Sequence, residues 1–220
     1  MRPWLVLYHT GVPFETETVA LPHMARQSEA TSLDERRKLG SVRGLFPVLR
    51  VDGTPIHESL AICEYVADAF PEVQLWPAAP LQRATARAVC SEMVSGFTNM
   101  RNELTCHLFG RVPSFAPTPA AINDIERVFE IWHERLDASG GPFLFGRFSI
   151  ADAMYFPVLT RFQTYNVKLP ATLVPYGEAL GAHPAVLALL AVASSAPRIP
   201  VYDDYLRRCG GDPDAALHPK

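Results

Sequence analysis

The spacing of apolar positions changes partway along the chain. Up to about Val73 the periodic stretches are short and mixed, whereas beyond Pro80 they lengthen and recur every three to four residues, the period of one helix face. The first element predicted is a short helix from Pro3 to about His9, with proline in its first turn and Gly11 as its stop. Phe14 to Leu21 mixes β-branched and polar residues and reads as a strand. Ser32-Leu33-Asp34-Glu35 has the form of a capping box, opening a helix that Gly40 ends. Phe46 to Val51 reads as a strand, Asp52-Gly53 as a hairpin turn, and Pro55-Ile56-His57 as a return strand that its proline confines to an edge. From Ser59 to Phe70 the apolar residues Leu60, Ile62, Cys63, Val66 and Ala67 make a helical stripe.

The proline-bounded segment Trp76-Pro77-Ala78-Ala79-Pro80 cannot be regular helix and divides the chain into residues 1–76 and 80–220. Beyond it, a stripe runs through Val89, Met93, Phe97, Met100 and Leu104, and another through Ile122, Ile125, Val128, Phe129 and Trp132. Further helices are predicted from Ser149, from Ala171 to Leu180 and after Pro184, and the tail from Gly210 to Lys220 is expected to fray. The pattern predicts an α+β first domain followed by an all-α second one.

Composition narrows the functional classes. An apolar share of 48% with 20% charged residues suits a globular chain, and the net charge of −3 without a basic block argues against nucleic acid as a partner. The longest apolar run, Ala185 to Ala193, is about half of what a bilayer-spanning helix requires, so no membrane partner is expected. Cys63, Cys90, Cys106 and Cys209 form no CxxC and no metal-ligand spacing, which suits reduced thiols, no metal and a cytoplasmic location. The brief apolar stretch after Met1 is too short for a signal peptide.

Three local motifs stand out: Arg2-Pro3-Trp4-Leu5 running into Gly11-Val12-Pro13-Phe14-Glu15; Gly44-Leu45-Phe46-Pro47-Val48-Leu49, then a hairpin and Glu58-Ser59-Leu60-Ala61; and Phe148-Ser149-Ile150-Ala151-Asp152-Ala153. In the third, Ser149 and Asp152 are spaced to cap a helix start reciprocally, a structural rather than catalytic use of the carboxylate. In their order and spacing, across nearly the whole chain, the motifs resemble the cytosolic glutathione S-transferase family, particularly its bacterial members.

The resemblance implies a thioredoxin-like N-terminal domain, a helical-bundle C-terminal domain, a homodimer, and glutathione as co-substrate beside a small hydrophobic electrophile. It implies a cis Phe46–Pro47 peptide, with the Phe46 backbone pairing the cysteinyl residue of glutathione. Glu58 and Ser59, at a helix start, would take the γ-glutamyl ammonium and carboxylate, and Arg43 the glycine carboxylate. Met93, Phe97, Arg101 and His107 are candidates for the electrophile pocket, with packing a competing role for the first two. Leu104-Thr105-Cys106-His107 stands where relatives often carry Cys-Pro-Met-Asn. The resemblance also implies a first strand and a thiol-activating serine ahead of Arg2. The chain begins one residue before Arg2, so no catalytic residue is assigned, and Met1 is expected to be an internal methionine of a longer natural chain. Without that strand the Phe14–Leu21 segment has no sheet neighbour. The leading expectation is addition of the glutathione thiolate to an electrophile; a maleylacetoacetate-isomerase-like reaction and a non-catalytic binding or regulatory protein stay open beside it.

Overall fold

The computed structural model describes residues 1–18, 34, 37–38, 40–41 and 45–217. Helix α1 (Arg2–Thr10) has proline in its first turn and ends at Gly11, whose φ of 74° lets its N–H reach back to Tyr8 O at 3.1 Å. Strands β1 (Val48–Val51) and β2 (Thr54–His57) pair antiparallel, with Val51 opposite Thr54 and Val48 opposite His57. Asp52 and Gly53 both have positive φ, 48° and 81°, the backbone a two-residue hairpin turn needs. Helix α2 (Ser59–Ala69) follows directly.

Residues 14–18 form no strand. Their backbone finds no ladder partner among the described residues, and the segment is instead tethered to α1: Trp4 Nε1 donates to Thr16 Oγ1 at 2.9 Å, and Phe14 meets the Trp4 ring edge-on. The remainder of that predicted strand, most of the helix expected to start at Ser32, and Arg43 lie outside the described residues; Asp34, Arg37 and Lys38 are helical.

The rest of the chain is helical: α3 (Pro80–Ser95), α4 (Thr98–Glu103), α5 (Pro119–Ser139), α6 (Ile150–Thr164), α7 (Val174–Gly181), α8 (Pro184–Ser194) and α9 (Pro200–Arg208). The single stripe from Val89 to Leu104 is split between α3 and α4. At Gly96 the chain passes so close to Glu92 O that a Cβ would sit 2.7 Å from it, and Phe97 then turns through a positive φ of 57°. The 3₁₀ turn Ala171–Leu173 precedes α7, in place of the one continuous helix expected.

The tail does not fray as far as it is described. Arg111 and Asp212 exchange backbone hydrogen bonds, 2.9 Å each way, and Ala216 N donates to Phe109 O at 2.8 Å. Helix α9, absent from the predicted pattern, has few apolar anchors; Leu206 is fully buried, Tyr205 Oη donates to Glu103 O at 2.8 Å, and Asp203 carries the ionic contacts described below. An element held mainly by polar contacts leaves little hydrophobic signature.

The core centres on α6, buried along nearly its whole length. Its start is fixed by Asp152. Oδ2 of this buried carboxylate accepts the Ser149 N–H and hydroxyl, both at 2.9 Å, and Oδ1 accepts Leu144 N–H at 3.0 Å, with the reciprocal Ser149–Asp152 cap as predicted. Ile150 N–H goes to Leu75 O at 3.1 Å, which ties the end of the N-terminal region to the start of α6. Burial drives the Asp152 carboxyl up to about 6 despite those donors. Helix α1 packs on α2 and also on α6 and α8, so Leu5 and Val6 join one continuous core with the helical region.

Near α8, His183 caps the helix through Nδ1, which accepts Ala185 N–H at 3.2 Å, while its ring stacks on Phe148 at 3.8 Å. Burial, and then the nearby His9, push the His183 imidazole down to about 4.

Two outcomes follow from these titratable groups. Asp152→Ala strands buried donors at about 1–3 kcal/mol each and lowers the melting temperature markedly, while Asp152→Asn, which keeps an acceptor oxygen, costs less; an alanine variant melting like the wild type would remove Asp152 from this role. For His183 the folded state holds its proton less well than the unfolded chain, so its contribution is lost as pH falls from about 6.5 to about 4. Asp152, shifted upward, acts in the opposite sense, so the two are separated by a variant. The stability difference between wild type and His183→Asn, which keeps a capping group, is largest above pH 6.5 and shrinks toward pH 4; a pH-independent difference in urea unfolding would contradict this.

Candidate functional site

The hairpin register builds the candidate site. The ladder ends at the Val48–His57 pair, and Phe46-Pro47 precede one strand at this open end while Glu58-Ser59 follow the other, where α2 begins. The Phe46–Pro47 peptide is cis, as the resemblance implies, and Phe46 is exposed.

Glu58 has φ 74° and ψ 138°, a backbone conformation costly for a residue with a side chain. Its Oε2 accepts Leu60 N–H at 2.8 Å and Ala61 N–H at 3.2 Å, so it caps α2. Its Oε1 and the Ser59 hydroxyl have no hydrogen-bond partner among the described residues. The site thus presents, at a helix N-terminus, a carboxylate oxygen and a hydroxyl without partners among the described residues, near the exposed Phe46.

A separate cavity lies beside it. A hollow of about 890 Å³ runs under α1, between the segment 12–18 and β1, and is walled by Leu7, Phe14, Leu49, Ile62 and Val66 among others. Phe46 and Pro47 reach its rim; Glu58 and Ser59 do not line it.

The residues predicted for an electrophile pocket differ in their surroundings. Met93 has no accessible surface and Phe97 is 6% exposed, so both pack in the interior. His107 is committed at both ring nitrogens: Nδ1 accepts Gly110 N–H at 2.8 Å and Nε2 meets Asp203 Oδ1 at 2.9 Å. With Nδ1 accepting, the proton belongs on Nε2, and His107 ties α9 to the loop after α4. Burial raises the Asp203 carboxyl, but hydrogen bonds from His107 and Arg198 and their charges outweigh it and hold it below the ordinary carboxylate range. Arg101 is the member of the set that remains half-buried with donors to spare; its Nη1 donates to Val94 O at 2.9 Å.

Two residues that sequence reasoning passed over join Arg101. Arg2, at the start of α1, donates through Nε to Met154 O at 3.0 Å. Arg161, on α6, donates through Nη1 to Pro157 O at 2.9 Å, and its buried Nε has no partner. Arg2 and Arg161 thus bond carbonyls one turn apart on α6, and burial, then the charges of Arg101 and Arg161, lower the Arg2 guanidinium to about 10. Because they come from three separate helices, no local pattern could have grouped them.

No single helix among the described residues is long and apolar enough to cross a membrane; the bent pair 171–181 and 184–194 meets that test only jointly, by length and composition.

The chain is similar to known proteins over both its regions. It is 29% identical over 152 residues to maleylacetoacetate isomerase of Rattus norvegicus, covering 69% of this chain and 67% of that one. With a probable maleylacetoacetate isomerase of Caenorhabditis elegans it shares 34% over 101 residues, 46% of this chain and 44% of the relative, so it spans under half of that protein's length. Among solved structures, a glutathione transferase homolog from Burkholderia gl BGR1 with bound glutathione superposes with a TM-score of 0.66 at 24% identity, covering 89% of this chain and 91% of that one. A glutathione transferase from Methylococcus capsulatus str. bath does so at 0.63 and 26% identity, covering 88% and 93%. The family model described as the glutathione S-transferase N-terminal domain matches residues 1–69 and that of the C-terminal domain matches 83–191, and by these matches the chain belongs to the glutathione S-transferase family.

Proposed function

We propose that the chain binds glutathione at the open end of the hairpin and adds its thiol to a small electrophile. The observation that carries this reading is Glu58: a residue with a side chain holds a positive φ of 74° there, beside Ser59 at the start of α2. Its Oε1 would take the γ-glutamyl ammonium of the tripeptide. The Ser59 hydroxyl and the first N–H groups of α2 would take the adjacent carboxylate, where the helix dipole favours negative charge. The Phe46 backbone would pair with the cysteinyl residue. Arg43 remains a proposal for the glycine carboxylate.

That orientation sends the thiol toward the start of α1. This helix has no side-chain N-cap, so its first N–H groups and the Arg2 guanidinium together favour a thiolate. A free thiol titrates near ~8.5, and moving it two units down requires about 2.7 kcal/mol of preferential thiolate stabilisation. No side chain is assigned as the activating hydroxyl.

A second reading, addition followed by rotation and release of the thiol, is favoured by the relatives named maleylacetoacetate isomerase. A homodimer in the cytoplasm belongs to the same proposal. Binding without turnover of a generic electrophile would instead favour a non-catalytic binding protein.

Glu58→Gln tests the site. It leaves an acceptor to cap α2 but removes the charge facing the ammonium. The expected outcome is a glutathione affinity weaker by about 1–3 kcal/mol, measured by calorimetry, with an unchanged melting temperature. Unchanged affinity would take Glu58 out of the site, and a fall in both would leave only the capping role.

A further inference from the structure

The hollow beside the hairpin is walled on two sides by main chain that no ladder satisfies. In a two-residue hairpin turn the flanking residues, here Val51 and Thr54, form a hydrogen-bonded pair, and bonded and non-bonded pairs alternate from there. Arg50–Pro55 and Val48–His57 are therefore the non-bonded pairs, and Pro55, which has no N–H, suits its place. Val48 and Arg50 thus direct their N–H and C=O groups away from β2. All four residues of β1 line the hollow and none of β2 does, so it lies along this free edge. Opposite stand residues 14–18, which also line it and have no ladder partner among the described residues.

The floor between these walls is apolar, with Leu7 from α1 and Ile62 and Val66 from α2. A small apolar molecule would cover that floor and leave both walls unpaired, whereas an extended peptide covers the one and pairs with the other two. The charges at the rim narrow its composition. Glu15 and Glu17 are exposed on one wall, while the Arg50 side chain is drawn toward Gly40, where a Cβ would lie 3.0 Å from its Nη2. The chain's own tail is engaged elsewhere, through Asp212 on Arg111 and Ala216 on Phe109.

We propose that the hollow accepts a lysine-bearing extended segment of a separate polypeptide, which enters the sheet as a strand between β1 and residues 14–18. Strand β1 is four residues long and the facing wall five, so the inserted strand takes about five, an ordinary length. Its alternate side chains rest on Leu7, Ile62 and Val66 and are apolar; the others include lysine, opposite Glu15 and Glu17. Successive residues turn their N–H groups to opposite walls, so one strand satisfies both edges. Strand binding is independent of glutathione, whose proposed anchors, Glu58 and Ser59, do not line the hollow.

The probe is the peptide acetyl-Lys-Val-Thr-Val-Lys-Val-Thr-amide, titrated by calorimetry into the full chain. It is compared with a form carrying glutamate for both lysines, and with a form N-methylated at two adjacent central residues, which removes one donor to each wall. The lysine peptide is expected to bind and to slow hydrogen exchange at the Val48 and Arg50 amides. The N-methylated form is expected to bind about tenfold more weakly, and the acidic form more weakly as well. Arg50→Pro, which removes an outward N–H without breaking the β2 ladder, weakens binding, whereas Arg50→Gln does not. Failure of the lysine peptide to bind overturns the proposal. So does equal affinity of the N-methylated form, since the hollow would then read apolar surface alone, and equal affinity of the acidic form, since the rim would then select no charge. Val48 and Arg50 amides already protected in the free chain overturn it too, because residues of this chain would then hold the edge.

Discussion

Asp152 accepts three hydrogen bonds at a place with no access to water, and the position of α6 depends on them. Two of the donors belong to Ser149, immediately before the helix, and the third to Leu144 in the preceding loop. The carboxylate therefore closes that loop onto the helix start and satisfies N–H groups that α6 leaves unpaired. Since α6 is buried along nearly its whole length, such a polar anchor helps fix its rotation where apolar packing alone is less directional. Hydrophobic burial supplies the driving force for the core, and Asp152 supplies its orientation. Ile150 N–H bonded to Leu75 O extends the same constraint to the N-terminal region.

Helix α1 carries that orientation to the candidate site. It packs on α2 with one side and on α6 and α8 with another, so the helix nearest the proposed thiol position is fixed by both regions at once. Arg2 makes the link specific, because its Nε reaches Met154 O on α6, one turn below the Pro157 carbonyl that holds Arg161. The hairpin end, the start of α1 and the face of α6 thus form one neighbourhood, although Arg2 and Met154 are 152 residues apart in sequence.

The elements legible in the sequence are those whose signals are local. Asp52-Gly53 dictates the turn, Pro3 and Gly11 bound α1, and the Ser149–Asp152 spacing announces its cap without reference to any distant contact. What the pattern cannot carry is nonlocal or polar. The stripe from Val89 to Leu104 looks continuous because its apolar spacing survives the break, whereas the break comes from the close approach of Gly96 to Glu92 O. Helix α9 is held by Asp203, Tyr205 and a single buried leucine, so periodicity is silent there. The helix start at Glu58 and Ser59 is readable because an apolar stripe of helical spacing begins beside it. His107 reads as pocket-facing in sequence because its partner Asp203 lies 96 residues away.

The carboxylates and guanidinium groups show one rule at work in three settings. Asp152, surrounded by neutral donors, rises to about 6, because hydrogen bonds do not fully replace lost water. Asp203, with Arg198 and His107 against it, falls, because paired charge more than compensates its burial. Arg2 is the cationic counterpart of Asp152: bonded to the neutral Met154 carbonyl, it is lowered to about 10 by burial and then by the charges of Arg101 and Arg161. Arg87, Arg127 and Arg198 meet carboxylates, whereas Arg2 rests on a carbonyl oxygen at the start of α1, where its positive charge would favour the thiolate proposed there. Such a charge lowers the free energy of negative charge developing on sulfur. The asymmetry in how the chain partners its own charges is therefore the feature that connects the packing of α6 to the chemistry proposed beside it.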